Sequence, residues 1–166
     1  MLFRSGITRL TDSGLSMVDW RPLMGALPPL GEAQWQEVFR AYQASPQFAQ
    51  VNPWMELDDF KRIFFWEYVH RLMGRLIGLV AFVPWLYFSL RKRLEAWLSL
   101  RVVMAIVLGG AQGLLGWYMV RSGLVDRPEV SHLRLAAHLL LAFFIAQWIL
   151  FALLDLRFGR VRLSVT

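Results

Sequence analysis

Nineteen consecutive residues, Val102 to Val120, carry no charged side chain and are fenced by Arg101 and Arg121. As a helix, this stretch rises about 1.5 Å per residue and matches a bilayer core of roughly 30 Å. A second stretch, Leu135 to Leu154, lies between Arg134 and Asp155 and has His138 and Gln147 as its polar side chains. The third, Ile63 to Leu90, is free of charge from Leu76 onward but holds Glu67, His70, Arg71 and Arg75 in its first half. In lipid every backbone polar group must be satisfied within the segment, so apolar runs of this length read as helices. Composition agrees, because 18% of residues are charged where a soluble domain has about 25%. The expected fold is an all-α membrane protein, a transmembrane helix bundle. Its spans are read at about 62–90, 101–121 and 132–155 inside a bundle region of about 62–157, with segment 1–61 before it and a tail, 158–166, after it.

The formal net charge is +6, yet the basic residues punctuate apolar runs rather than covering one face. That distribution belongs to membrane flanks, so the expected partner is the lipid bilayer and not nucleic acid. The absence of cysteine excludes disulfides, thiolate metal sites and cysteine nucleophiles, and leaves His, carboxylate or Met to hold any metal. Arg91, Lys92, Arg93 and Arg101 between the first two spans, and Arg157, Arg160 and Arg162 after the last, assign those loops to the cytoplasmic side. In the intervening loop Arg121, Arg127 and Arg134 are partly offset by Asp126 and Glu129, which assigns it outside. Segment 1–61 then lies outside as well. Met1-Leu2-Phe3 is followed at once by Arg4, with no signal peptide, so an upstream helix is expected whose end forms the start of this chain. The location implied is a multi-pass membrane one.

In the outer segment, Trp20-Arg21-Pro22 and Leu27-Pro28-Pro29-Leu30-Gly31 break the chain before Glu32 to Ser45, which reads as an amphipathic helix. Trp35, Phe39 and Tyr42 share one face of it, placed to lie against the membrane interface or to cover the mouth of the bundle. Asp58 or Asp59 is the expected N-cap of the first span, and Ser131, after Asp126-Arg127-Pro128, that of the last.

Ionisable residues inside a span cost several kcal/mol unless paired or facing a cavity, which makes Glu67, His70, Arg71, Arg75 and His138 the functional candidates. Glu67 and His70 stand three apart on one helical face, and Gly74 and Gly78 continue it, as room for a neighbouring helix or for a flat ligand. The first and last spans run in the same direction. His70 is eight residues after Arg62 and His138 seven after Ser131, so both lie roughly 10 to 12 Å below the same boundary. Two imidazoles at one depth on parallel helices suit axial ligation of a heme iron from both sides. Gln112, nine residues before Arg121 on the antiparallel middle span, joins the layer. It sits among Gly109, Gly110, Gly113 and Gly116, which make that helix thin enough for a porphyrin face or a close helix contact. Arg71 and Arg75 can reach heme propionates or snorkel to headgroups. His132 faces about 240° away from His138 and reads as interfacial. A non-heme metal would need a third ligand in the layer, where only Glu67 is available, and a proton relay through Glu67 and His70 stays open.

These motifs resemble the heme A synthase family, of the proteobacterial and mitochondrial type. The resemblance is carried by Gly6-Ile7-Thr8-Arg9-Leu10-Thr11-Asp12-Ser13-Gly14-Leu15-Ser16 with Asp19-Trp20-Arg21-Pro22, and by Leu27-Pro28-Pro29-Leu30. It continues through Phe65-Trp66-Glu67-Tyr68-Val69-His70-Arg71-Leu72-Met73-Gly74-Arg75, Gly109 to Trp117, and Val130 to Leu139. The resemblance implies oxidation of the C8 methyl of heme O to the formyl of heme A, for cytochrome oxidase biogenesis. It implies that His70 and His138 hold the substrate iron, and that Glu67 accepts a proton or stabilises a cation at the methyl carbon. Heme O synthase and oxidase assembly factors are the implied partners. Such proteins have eight spans in two similar halves, with a heme b in the C-terminal half. This chain resembles the N-terminal half alone, three complete spans plus the end of a first helix, so activity of the chain by itself stays open. The lack of a cysteine pair in the first outer loop fits the proteobacterial type. Two alternatives remain: a heme b-binding electron-transfer module, and a non-enzymatic oxidase-assembly factor. A homo-oligomer would duplicate His70 and His138 rather than supply a second redox site.

Overall fold

A computed structural model describes residues 13–18, 27–124 and 129–159. Residues 1–12, the break expected at Trp20-Arg21-Pro22, the Asp126-Arg127-Pro128 stretch, and Arg160 and Arg162 lie outside the described residues. The described residues form five helices: α1 (Glu32–Gln43), α2 (Pro46–Gln50), α3 (Leu57–Leu90), α4 (Ala96–Arg121) and α5 (His132–Phe158). Among the described residues there is no strand, and α3, α4 and α5 are each long and apolar enough to cross a membrane. The described residues thus form the expected all-α membrane bundle, with three helices of spanning length and composition.

Each spanning helix runs past the boundary its flanking charges suggested, because charges mark where lipid ends and not where hydrogen bonding ends. Helix α4 begins at Ala96, which puts Arg101 inside it, and α5 continues to Phe158 beyond Asp155. Arg101 and Asp155 pair at 2.5 Å, and the Trp148 indole N–H donates to the Arg101 carbonyl at 2.9 Å. At the other end of the same hairpin the Arg134 guanidinium lies 3.8 Å from the Tyr118 ring centroid and donates to the Tyr118 carbonyl at 2.9 Å. Helices α4 and α5 are thus clamped at both ends and pack along their length, whereas α4 meets α3 more sparsely. Gly159, at φ 82°, takes a positive-φ backbone open to glycine, and its N–H closes α5 on the Asp155 carbonyl at 3.1 Å.

Helix α3 has 34 residues, about 51 Å at 1.5 Å per residue, so its first turns project beyond a 30 Å core. Its N-cap position is Glu56 in extended conformation, and Asp58 and Asp59 stand instead in the first turn, where their charges favour the helix dipole. The projecting turns explain the aromatic face of α1. Phe39 and Tyr42 are buried with Phe60, Phe64 and Met55. Tyr42 stacks on Phe60 at 5.0 Å between centroids, and Trp35 meets Phe64 edge-on at 5.1 Å. That face therefore packs on protein, not against the lipid interface. Helix α1 also stops earlier than expected: Ser45 precedes Pro46, is held extended, and caps α2 by accepting the Phe48 N–H at 3.3 Å. Ser131 is the N-cap residue of α5 as expected, though its side chain makes no cap bond.

Helices α1 and α2 form a small cap over the start of α3. Within it the Asn52 amide donates to the Tyr42 hydroxyl at 2.9 Å. Burial pushes the Tyr42 phenol above its ordinary 10.0, the nearby Glu67 charge adding and the Asn52 bond opposing. The folded state therefore holds this proton more tightly than the unfolded chain. Stability should be level in pH below about 10 and fall as pH rises through the higher folded value. Tyr42→Phe is expected to cost about 1 kcal/mol near neutrality, from the stranded Asn52 donor, and to remove that share of the alkaline decline. Thermal melts from pH 8 upward read both effects.

Candidate functional site

The buried face of α3 runs Phe60, Phe64, Glu67, a helical stripe that turns from aromatic to acidic. Glu67 is only 3% exposed. Its carboxylate is satisfied by the irregular segment 13–18: the Ser16 hydroxyl and the Met17 N–H both donate to Oε2, at 2.7 and 2.8 Å. Arg71, one turn along, donates to Oε1 at 2.5 Å and reaches the Met17 carbonyl at 3.0 Å. The pair thus links α3 to a segment fifty residues earlier. Ser13 and Leu15 are buried with it, and Leu15 seats against Gly123 just past α4, where a Cβ would come within 2.9 Å of both leucine methyls.

Deeper on the face that starts at Glu67, His70 and Arg75 are partly buried, and Gly74 is exposed. A Cβ built at Gly74 or Gly78 meets nothing within 4 Å. Of the two readings of these glycines, close packing of a helix within this chain is therefore not realised. On α4 the outcome is divided. Gly109, Gly110 and Gly113 face open space, but a Cβ at Gly116 would sit 3.1 Å from His138 Cε1, so this glycine is what admits the imidazole between α4 and α5.

His138 and Gln112, placed in one layer by counting from the helix ends, do meet. The Gln112 amide nitrogen donates to the His138 carbonyl at 3.0 Å and stands 3.1 Å from its Nε2. A carbonyl can only accept, which fixes that atom as the NH2 group. Its second hydrogen is then available to the Nε2 lone pair, which leaves the ring proton on Nδ1. His138 Nδ1 and Gln112 Oε1 are buried and make no hydrogen bond. His132 is exposed, as its position 240° around α5 suggested. Among the described residues no group of three or more His, Asp or Glu could hold a metal ion.

Helix α4 lies between its neighbours, and α3 and α5 share no extensive packing. A flat apolar molecule could therefore enter beside α4 without displacing a packed helix pair, below a carboxylate and near an imidazole with an unused ring atom. Sequence reading singled out both groups, along with Arg71 and Gln112. It did not find the Ser16 and Met17 contacts, because an irregular segment carries no periodic signal of what it docks on. Nor did it find the special place of Gly116, for which spacing four residues from Gln112 was the available hint.

The profile of the cytochrome oxidase assembly protein family COX15-CtaA matches residues 1–164. The chain is 52% identical over 156 residues to the heme A synthase of Nitrosospira multiformis, covering 94% of this chain and 44% of that protein. With the heme A synthase of Nitrosomonas eutropha identity is 54% over 145 residues, covering 87% of this chain and 41% of that protein. With that of Parvibaculum lavamentivorans it is 52% over 160 residues, covering 96% and 46%. The chain thus spans less than half the length of these curated relatives. No solved structure matches it.

Proposed function

This chain belongs to the COX15-CtaA family of cytochrome oxidase assembly proteins, and from that premise we propose that it is the part of a heme A synthase that holds heme O during oxidation of its C8 methyl group. The single observation that carries the reading is Glu67, a buried carboxylate at the head of a strip of α3 that lies open at Gly74 and Gly78. A strip headed by the Glu67–Arg71 pair, with His70 and Arg75 along it and two glycines that leave it open, suits a large flat substrate with one reacting carbon and charged side groups.

Heme is substrate and product here, and its iron supplies the redox chemistry when bound. His70 and His138 are the candidate axial ligands. His138 fits the role in being buried on a hairpin clamped at both ends, with the lone pair of its ring on Nε2. Ligation through Nε2 requires the Gln112 amide to release that atom, which it can do while keeping its bond to the His138 carbonyl. Arg75, Gln112 and Gly74 are read as contacts to the macrocycle or its propionates. Arg71 holds Glu67 as a carboxylate acceptor, and Glu67 takes the proton that leaves the methyl carbon as it is oxidised, or balances positive charge there. The cap end of the bundle is assigned to the outer side of the inner membrane. Heme O synthase is the natural donor of substrate, and oxidase assembly factors the recipients of product.

Glu67→Gln keeps the size and hydrogen-bonding reach of the side chain but removes its basicity. In protein produced alongside heme O synthase, this variant should form heme A about 10²- to 10⁴-fold more slowly, with total bound heme unchanged by pyridine-hemochrome analysis. Formation of heme A at the wild-type rate would end the proposal.

A further inference from the structure

A carboxylate offers about four in-plane acceptor positions, two on each oxygen. In Glu67 both positions of Oε2 are taken, by Ser16 and by the Met17 N–H, and one of Oε1 is taken by Arg71. The single position left is on Oε1. Which oxygen Glu67 presents is therefore decided by the 13–18 segment and not by α3 alone.

That segment is held independently of Glu67. A turn closes it through the Ser16 N–H to the Ser13 carbonyl at 3.3 Å, and Leu15 is fixed against Gly123; the same carbonyl, 3.0 Å from the Ser16 hydroxyl, competes for its one hydrogen with the charged and closer Glu67 oxygen at 2.7 Å. Ser16 itself is 2% exposed. Its hydroxyl is thus a preset donor that the carboxylate must meet, and not a surface group that follows it. We propose that Ser16 is a positioning residue: with the Met17 amide it saturates Glu67 Oε2, so that Oε1 alone faces the reacting carbon. The proposal deepens the reading of Glu67 as the reacting base and rests on it for its catalytic consequence.

Two readouts separate the proposal from that reading. In purified protein in lipid nanodiscs, infrared carboxylate bands assigned to Glu67 by their loss in Glu67→Gln should shift in Ser16→Ala and return toward wild type in Ser16→Thr. In the heme O assay, Ser16→Ala should lower kcat by 10-fold or more with KM and heme occupancy unchanged, Ser16→Thr should recover most of the rate, and Ser16→Ala added to Glu67→Gln should have no further effect. A purely structural role would instead lower occupancy and KM-dependent steps together, without rescue by threonine, and would overturn the proposal. Unshifted infrared bands in Ser16→Ala overturn it as well, whatever the activity. If the wild-type protein makes no heme A, the reading of the function falls, and the infrared result alone decides whether Ser16 sets the carboxylate.

Discussion

Arg71→Leu is expected to destabilise the protein by about 3 to 5 kcal/mol, the cost of leaving a buried charge without its partner. The Glu67 side chain is 4% exposed and that of Arg71 17%, so water cannot replace the lost guanidinium. One further bond goes with it, because Arg71 also holds the Met17 carbonyl. The double variant Glu67→Gln, Arg71→Leu should recover most of that loss, since a neutral amide can still accept from Ser16 and Met17 and no charge is stranded. Thermal unfolding of the four proteins in one detergent gives the coupling between the two sites. A cost below 1 kcal/mol for Arg71→Leu, or strict additivity in the double variant, would show that the pair does not hold segment 13–18 to α3.

The spans were legible because hydropathy and length measure the same quantity that lipid imposes. Depth was legible too: nine residues back from Arg121 and seven on from Ser131 placed Gln112 and His138 in one layer, and they form a hydrogen bond. The rise of a helix is fixed, so counting from its ends is a measurement. What hydropathy could not give is helix outside lipid. The first turns of α3 are amphipathic and charged, and only the recurrence of Phe60 and Phe64 four apart, in register with Glu67, marks them as a helical face that something covers. The same gap left Trp35, Phe39 and Tyr42 open between the membrane interface and the mouth of the bundle, when they pack on α3. Arg101 and Asp155 were read as separate boundary markers, yet they pair, because two spans that end at one depth bring their flanking charges together. Ser45-Pro46 did carry a local signal for a helix restart. Segment 13–18 carried none, since its partner is some fifty residues away and its bonds are made by backbone and a serine.

The second large effect concerns the imidazoles. His138→Ala and His70→Ala should each abolish the low-spin spectrum of bound heme, if both ligate the iron, because a single axial ligand leaves it five-coordinate and high-spin. The neighbours of His138 make this sharper. Gly116→Ala puts a methyl 3.1 Å from His138 Cε1, so the ring must shift by a few tenths of an ångström, and heme affinity should fall about 10- to 100-fold, as it does when groups that orient a ligand are altered. Gly113→Ala meets nothing in the chain within 4 Å and by helix propensity alone should stabilise α4 by up to about 1 kcal/mol. A stable Gly113→Ala protein that binds heme poorly would therefore mean that the open space beside α4 is filled by the macrocycle. Gln112→Leu frees His138 Nε2 and should keep the low-spin spectrum. Retention of that spectrum in His138→Ala would remove His138 from the iron and leave its hydrogen bond to Gln112 as a helix-packing contact.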